Sequence, residues 1–278
     1  MTTLVLTAHG SADPESAANA RAVAAWVRRI RPSLDVRVAF CEINRPNLID
    51  VLDGCSGEAV VTPLLLADAY HARVDIPAQI ARCGASHRVR QADVLGEDDR
   101  LVSLLAERLT ELGVSRLDDA LGVLVVAVGS SDAAANARTA AVASKLAIGT
   151  QWAAVATAFA TRQDPSLAEA ADRLRRRGAR QVVIAPWFLA PGRLPDRVRR
   201  FAEDARIAMA APLGPHRLVA QTVLDRFDQA DCPARRSLSG SIRWNSARIL
   251  GSVGRLSALL SDEASPTARF DSSNLARS

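Results

Sequence analysis

Short runs of apolar residues alternate with longer segments of mixed character along the first part of the chain. The apolar runs predict β-strands at residues 3–8, 35–40, 59–66 and 88–95. Helical spacing or a helix-starting proline predicts helices at residues 14–30, from Pro46, around residues 76–81 and at residues 101–112. Strands that are apolar on both faces and separated by helices are typical of a parallel sheet with helices on both sides.

The same pattern returns 119 residues later. The repeated pattern predicts strands at residues 121–127, 153–159, 181–189 and 207–211. Gly10 corresponds to Gly129, and after a short insertion Pro63 corresponds to Pro186. Chance similarity between two alanine-rich segments is the alternative interpretation, but several landmarks in one order favour a duplication.

We therefore predict an α/β fold of two tandem repeats, each with a parallel sheet, followed by a poorly ordered tail. The first repeat spans residues 1–118 and the second residues 119–230, with the linker at residues 113–119. The tail, residues 231–278, is rich in Arg and Ser. Within it, residues 242–260 have the spacing of an amphipathic helix, which we expect to pack on the protein itself or to be disordered, rather than to bind a membrane or a partner.

Composition excludes several classes of function. The chain has 35 Lys and Arg against 30 Asp and Glu, and residues 232–278 carry +4 of the formal net charge of +5. Aromatic residues are not interleaved with basic ones, so we expect no nucleic-acid partner. Apolar runs are shorter than the roughly 20 residues that span a membrane. Four cysteines without a CxxC pair indicate reduced thiols, which is typical of a cytoplasmic protein.

Three titratable side chains follow consecutive predicted strands of the first repeat: His9 the first, Glu42 the second and His71 the third. Ligands of open parallel sheets bind at the carboxyl ends of the strands, so we predict that these side chains meet at one rim. The corresponding residues of the second repeat are Val128, Thr161 and Leu194. This loss of every titratable group indicates one working site, located in the first repeat.

Two imidazoles and a carboxylate suit a divalent ion such as Fe(II), Co(II) or Ni(II), and they also suit proton transfer near neutral pH. We interpret all three residues as catalytic and as metal ligands, and residue type does not separate ligand from base. Gly10 would let the backbone pass close to a bulky ligand, and Ser11 lies at the start of a predicted helix. His87 falls at the opposite end of the sheet and His216 has no counterpart in the first repeat, so both are left out of the site.

Three strings carry a family resemblance: Thr7-Ala8-His9-Gly10-Ser11, Phe40-Cys41-Glu42 with Pro46, and Pro63-Leu64-Leu65-Leu66 through His71 to Asp75-Ile76-Pro77. Together they resemble the CbiX/SirB family of sirohydrochlorin chelatases in its long, two-repeat form, over about residues 1–230. The resemblance implies a class II chelatase fold, with two flavodoxin-like halves facing each other across a cleft. It also implies a lyase that inserts Fe(II) or Co(II) into sirohydrochlorin on the way to sirohaem or cobalamin.

By this resemblance, His9 and His71 match the family's active-site histidines and Glu42 matches its glutamate. The metal is then a substrate, and we expect no permanently bound cofactor. Sirohydrochlorin bears eight carboxylates, which arginines would bind. The substrate-binding candidates are Gly10, Ser11, Arg45 and Arg73, with Arg162 and Arg193 from the second repeat. We expect a monomer with an internal pseudo-dimer, and no membrane partner.

Two other functions fit part of this pattern. A metal carrier could use the same three ligands without a macrocycle. A histidine phosphatase also has a His-Gly pair near its first strand, but its chemistry needs an arginine beside that histidine, where this chain has Ala8. The sequence contains no phosphate loop of the Walker or dinucleotide type, so we expect no dependence on nucleotides.

Overall fold

The computed structural model describes residues 2–161 and 165–232. The first repeat contains, in chain order, β1 (Thr3–Ala8), α1 (Pro14–Ile30), β2 (Val36–Phe40), α2 (Leu48–Asp53), β3 (Ala59–Pro63), α3 (Ile76–Arg82), β4 (Val89–Gln91) and α4 (Asp99–Glu111). The second contains β5 (Leu121–Ala127), α5 (Ala133–Ala147), β6 (Ala154–Phe159), α6 (Leu167–Arg176), β7 (Gln181–Pro186), α7 (Arg193–Asp204), β8 (Ala208–Met209) and α8 (Arg217–Asp231). A π-helical turn, His71–Asp75, leads into α3, and a 3-10 turn, Ser86–Arg88, precedes β4.

Each repeat forms one sheet of four parallel strands. The strand orders, β2-β1-β3-β4 and β6-β5-β7-β8, are equivalent, and β1 and β5 occupy corresponding central positions. Parallel strands end at the same edge of a sheet, so the loops after β1, β2 and β3 share one rim. The predicted α/β fold of two repeats with parallel sheets is confirmed.

The third and fourth strands of each sheet are shorter than predicted. β3 ends at Pro63 and β7 ends at Pro186, while β4 and β8 contain three and two residues. The apolar residues after the two prolines leave the sheet and pack in the core, as buried Leu64 and Trp187 do. A continuous apolar run therefore marked burial correctly here, but not the end of the strand.

The second helix also begins later than predicted. It starts at Leu48 rather than at Pro46, because the side chain of Asn47 accepts a hydrogen bond from the backbone N–H three residues on, at 2.8 Å. Ser166 caps α6 in the same way at the equivalent position of the second repeat. The chemistry of these caps, and not the proline, sets where the two helices begin.

The two repeats share one hydrophobic core because each covers the sheet of the other with its last helix. Helix α8 of the second repeat packs on α1 and β3, and α4 of the first repeat packs on α5 and β7. Fully buried Leu4 and Leu6 of β1 belong to the same cluster as Val123 and Val125 of β5. Each such side chain contributes about 1.5–3 kcal/mol on burial, so the shared core holds the two sheets together.

The outer face of each sheet has a separate small core, beneath α2 and α3 in the first repeat and beneath α6 and α7 in the second. The predicted division at residue 118 falls in the segment between α4 and β5. Because the core is shared, a division into separate domains stays a prediction. The four cysteines lie within the described residues and form no disulfide there.

The predicted helix at residues 242–260 and the predicted disorder of the tail lie outside the described residues. Among the helices in residues 2–161 and 165–232, none has the length and apolar character that a membrane crossing requires.

Candidate functional site

Two rim loops of the first sheet, those after β1 and β2, are joined through their backbones. Cys41 N–H donates to Ala8 O and Glu42 N–H donates to His9 O, both at 3.0 Å. Gly10 has φ +107°, and a Cβ atom there would lie 2.0 Å from Glu42 O. Only glycine allows this contact. The close neighbour of Gly10 is thus the backbone of Glu42, and its predicted contact with a ligand stays a prediction.

His9 and Glu42 meet side chain to side chain. His9 Nε2 lies 3.0 Å from Glu42 Oε1, so the neutral imidazole donates its Nε2 proton to the carboxylate. Burial of the ring, and next the proximity of His71, lower the pKa of His9 below its ordinary value. His9 Nδ1 is buried without a hydrogen-bond partner. His9 is therefore neutral near pH 7, with its proton on the Nε2 that faces Glu42 and its unprotonated Nδ1 buried.

His71 is held by a residue that the sequence analysis did not place in the site. Its Nδ1 lies 2.5 Å from Asp75 Oδ2, across one turn of the π-helical segment. A carboxylate at Nδ1 holds the proton on that nitrogen and leaves the Nε2 lone pair available. The spacing of four residues between a histidine and an aspartate near a helix start is the sequence signal that could have identified Asp75.

The two histidine rings are in contact, with centroids 3.9 Å apart and planes inclined at 42°. Four side chains therefore form a titratable row in the order Glu42, His9, His71 and Asp75. No group of three or more His, Cys, Asp or Glu side chains within the described ranges is arranged to hold a metal ion. The three predicted residues thus come together as a row, and their joint ligation of a metal stays a prediction.

The loop that carries Glu42 is braced from behind. Gln79 of α3 donates a hydrogen bond to Cys41 O at 3.1 Å, and the side chain of Asn44 accepts one from Ser11 N–H at 2.7 Å. Burial raises the pKa of the Cys41 thiol to about 12, so this residue remains a thiol near the row and is a poor ligand. These contacts fix the loop without adding a charged group to the rim.

Ser11, a predicted substrate-binding residue, is used locally. Its hydroxyl accepts a hydrogen bond from the backbone N–H of Asp13 at 3.0 Å, and Asp13 in turn caps α1. The Ser11 side chain lies near the second repeat, since a Cβ atom on Gly192 would be 3.9 Å from its Oγ. The rims of the two repeats therefore come together beside this loop.

The candidate arginines have different surroundings. Arg45 is exposed, and its guanidinium lies 3.4 Å from Asp50 Oδ2. Arg73 binds two carboxylates, Asp68 of its own repeat and Asp132 of the second. Arg193 is exposed at the first residue of α7. Arg162 lies outside the described residues. Among the candidates that the structure describes, Arg73 is the one that binds a carboxylate of each repeat and so connects the two rims.

The remaining histidines, His87 and His216, have local surroundings of their own. His87 is in the 3-10 turn before β4, which places it at the amino end of the strand. His216 caps α8 by accepting a hydrogen bond from Leu218 N–H at 3.3 Å. Leaving both residues out of the site stays a prediction.

Comparison with known proteins gives the same fold and a family. The sequence profile of the CbiX family matches residues 3–112 and again residues 122–230. Among solved structures, "SirB from Bacillus subtilis with Fe3+" superposes with a TM-score of 0.72 over 84% of this chain and 97% of that one, at 22% identity. The predicted class II chelatase fold is thus confirmed.

Two relatives from Priestia megaterium align over most of their lengths. A sirohydrochlorin ferrochelatase is 30% identical over 216 residues, which are 73% of this chain and 79% of the relative. A sirohydrochlorin cobaltochelatase is 28% identical over 262 residues, 88% of this chain and 83% of the relative. With both repeats matched by the profile and a relative at this level of identity, the chain belongs to the CbiX family, as its sequence motifs predicted.

Proposed function

We propose that the protein is a sirohydrochlorin chelatase, which inserts Fe(II) or Co(II) into the tetrapyrrole at the rim of the first repeat. The observation that carries this proposal is the titratable row, in which two touching imidazoles are each paired with a carboxylate. One relative is named for iron and another for cobalt, so the proposal includes both metals.

Metal insertion forms bonds between the metal and the ring nitrogens and removes two protons from pyrrole N–H groups. Each ring nitrogen supplies the electron pair of its bond to the metal, and the protons leave to a base. The site must therefore present a partly dehydrated metal ion and accept protons. The titratable row provides groups for both tasks.

We assign metal delivery to His71 and proton removal to His9 with Glu42. Asp75 leaves the His71 Nε2 lone pair available, and the side chain of His71 is 44% exposed. His9 has a lowered pKa and is neutral, and its Nε2–H bonds to the Glu42 carboxylate, so the imidazole and the carboxylate act together as the base. Glu42 bonds to His9, and its side chain is 55% exposed, so it can pass protons to water.

The alternatives have weaker support. A metal carrier would hold its ion in a closed ligand set, and no such set is arranged among the described residues. A histidine phosphatase would need cations around His9, but the neighbours of His9 are a carboxylate and an imidazole. The titratable row would bind the metal ion through few side chains, which suits transient delivery of the ion to the ring.

An anaerobic absorbance assay tests the proposal. Purified protein is mixed with sirohydrochlorin and Fe(II) or Co(II), and the spontaneous insertion rate is subtracted. The expected result is accelerated loss of the metal-free spectrum, with protoporphyrin, which has only two carboxylates, left unmetallated. Binding of the metal without faster insertion would support the carrier instead, and equal rates on protoporphyrin would contradict the choice of substrate.

A further inference from the structure

Two arginines and two aspartates connect the rims of the repeats beside the π-helical turn of His71. Arg73 binds Asp68 through two nitrogens, at 3.1 and 2.7 Å, and reaches Asp132 of the second repeat at 3.1 Å. Arg138 of α5 donates to Asp68 O at 3.1 Å and lies 3.8 Å from Asp68 Oδ2. We call these four residues the seam network.

The seam network is accessible and electrically balanced. Its side chains are 31–49% exposed, and the two positive charges face two negative ones. The paired contact of Arg73 with Asp68 is the geometry that a guanidinium adopts with any carboxylate, including one on a ligand. Exposed ion pairs add little stability, so a ligand carboxylate can replace an aspartate at small cost.

We propose that Arg73 and Arg138 bind peripheral carboxylates of the tetrapyrrole, and that Asp68 and Asp132 occupy these arginines until the substrate arrives. The inference rests on the proposed function and names the specificity determinants of its site. The aspartates make the seam selective, because a ring edge without carboxylates leaves both arginines paired with them. The second repeat, which has no titratable row, then contributes Arg138 to substrate binding.

The positions of Arg73 and Asp132 in the fold support the assignment of the seam network to substrate binding. Arg73 lies in the same five-residue turn as His71, which starts the segment His71–Asp75. Asp132 caps α5 by accepting hydrogen bonds from the N–H groups of residues 134 and 135, which places it at the rim of the second sheet. The network therefore lies where a ring seated over His71 would extend its edge toward the second repeat.

The test is a separation of KM from kcat in steady-state metallation of sirohydrochlorin. Arg73→Gln and Arg138→Gln should each raise the KM for sirohydrochlorin about tenfold, with kcat changed less than about threefold, because a charge-assisted contact is lost. The double variant Asp68→Asn with Asp132→Asn should lower KM about threefold, because the competing charges are removed. Asparagine is also a good helix cap, so α5 keeps its start.

Arg31→Gln is the matched control. Arg31 also forms a bidentate pair across the repeats, with Asp228 at 2.6 and 2.7 Å, but at the far end of the 17-residue helix α1, roughly 25 Å along its axis from the rim. The KM of the Arg31→Gln variant for sirohydrochlorin should equal that of wild type. An equal rise in the control, unchanged KM in both seam arginine variants, or a higher KM in the aspartate double variant would each overturn the proposal. Thermal unfolding of every variant identifies losses that come from misfolding.

A binding measurement separates this inference from the proposed function. Fluorescence titration without metal, using the octacarboxylate uroporphyrin, reports ring binding alone, and both arginine variants should bind it about tenfold more weakly than wild type. Wild type that binds but does not metallate sirohydrochlorin would contradict the proposed function only. Wild type that metallates, with arginine variants that bind uroporphyrin equally well, would contradict the seam assignment only.

Discussion

The two repeats have the same backbone at their rims and different side chains on it. In the second repeat, Thr161 N–H donates to Val128 O at 3.0 Å, as Glu42 N–H donates to His9 O in the first. Gly129 has φ +89°, in the same left-handed region as Gly10. Backbone hydrogen bonds that hold the rim have been kept in both repeats, whereas side chains pointing into the rim have been free to change.

The side-chain hydrogen bonds that support the rim loops also have the same geometry in the two repeats but differ in charge. The carbonyl of Cys41 accepts a hydrogen bond from Gln79, and the equivalent carbonyl of Ala160 accepts one from Arg197. Net charge also differs, with 13 Lys and Arg against 16 Asp and Glu in residues 1–118, and 15 against 10 in residues 119–230. The repeat without the titratable row is the positive one, which favours the approach of an anionic ring.

The largest expected difference between the repeats is in the catalytic rate. His9→Ala and His71→Ala should each lower the metallation rate at least about a hundredfold, because a base or a ligand is lost. The equivalent changes Val128→Ala and Leu194→Ala should act on stability alone. Steady-state rates and thermal unfolding of all four variants test this, and similar rate losses in both pairs would mean that both rims take part in the chemistry.

A smaller effect is expected at the carboxylate behind His71. Asp75→Asn should lower the rate by about 10–100-fold, because the amide no longer holds the proton on Nδ1 and the Nε2 lone pair is no longer favoured. The matched change Asp196→Asn removes an exposed carboxylate from α7 of the second repeat and should have no effect on rate. A loss of rate without a higher KM for Co(II) would contradict the role in orienting His71 toward the metal.

The two rim glycines offer a comparison of stability with activity. A Cβ atom at Gly10 would meet backbone, 2.0 Å from Glu42 O, and one at Gly129 would meet the Thr161 hydroxyl at 2.6 Å. Both alanine variants should lose about 1–3 kcal/mol of folding free energy because of the left-handed backbone. The rate of the remaining folded protein should fall only for Gly10→Ala, which displaces Glu42. Chemical denaturation and rate assays on the same samples measure both quantities.

The pH dependence should follow His9. Its pKa is lowered from the ordinary 6.5, so protonation blocks proton uptake only at a lower pH than for a free histidine, and the rate should fall below about pH 6.5. Glu42 raises the pKa of His9, so in Glu42→Gln the falling limb should move to still lower pH. A normalised rate profile of the two proteins tests this, and a flat profile would remove His9 from the rate-limiting step.

The smallest effect is expected from the segment that belongs to neither repeat. Removal of residues 236–278 should leave the metallation rate within about twofold of the full chain, because the family profile ends at residue 230. The truncated and full-length proteins are compared under the same assay conditions. A folded but inactive truncated protein would show that these residues take part in the site.

Sequence reasoning located the residues that follow strands and missed those that depend on tertiary contacts. His9, Glu42 and His71 could be predicted because the ends of parallel strands share a rim. The pairing of Arg73 with Asp132 joins residues 59 positions apart in different repeats, and no local spacing encodes it. Short β4 and β8 were overestimated because burial and strand pairing give the same apolar signal.

Each repeat covers the sheet of the other with its last helix, and this arrangement bears on how such a chain could arise. Without α8, a first repeat on its own would expose to water the part of its sheet that α8 covers, including Val60 of β3, while its own α4 would have no sheet to cover. Two identical single repeats could satisfy each other by the same exchange, as a symmetric pair. Joining them through the segment between α4 and β5 makes this association intramolecular, so it no longer depends on protein concentration. In a symmetric pair made from one gene, every mutation appears in both copies. Joining the two repeats in one chain lets them change independently, so one repeat can lose its site while the other keeps it.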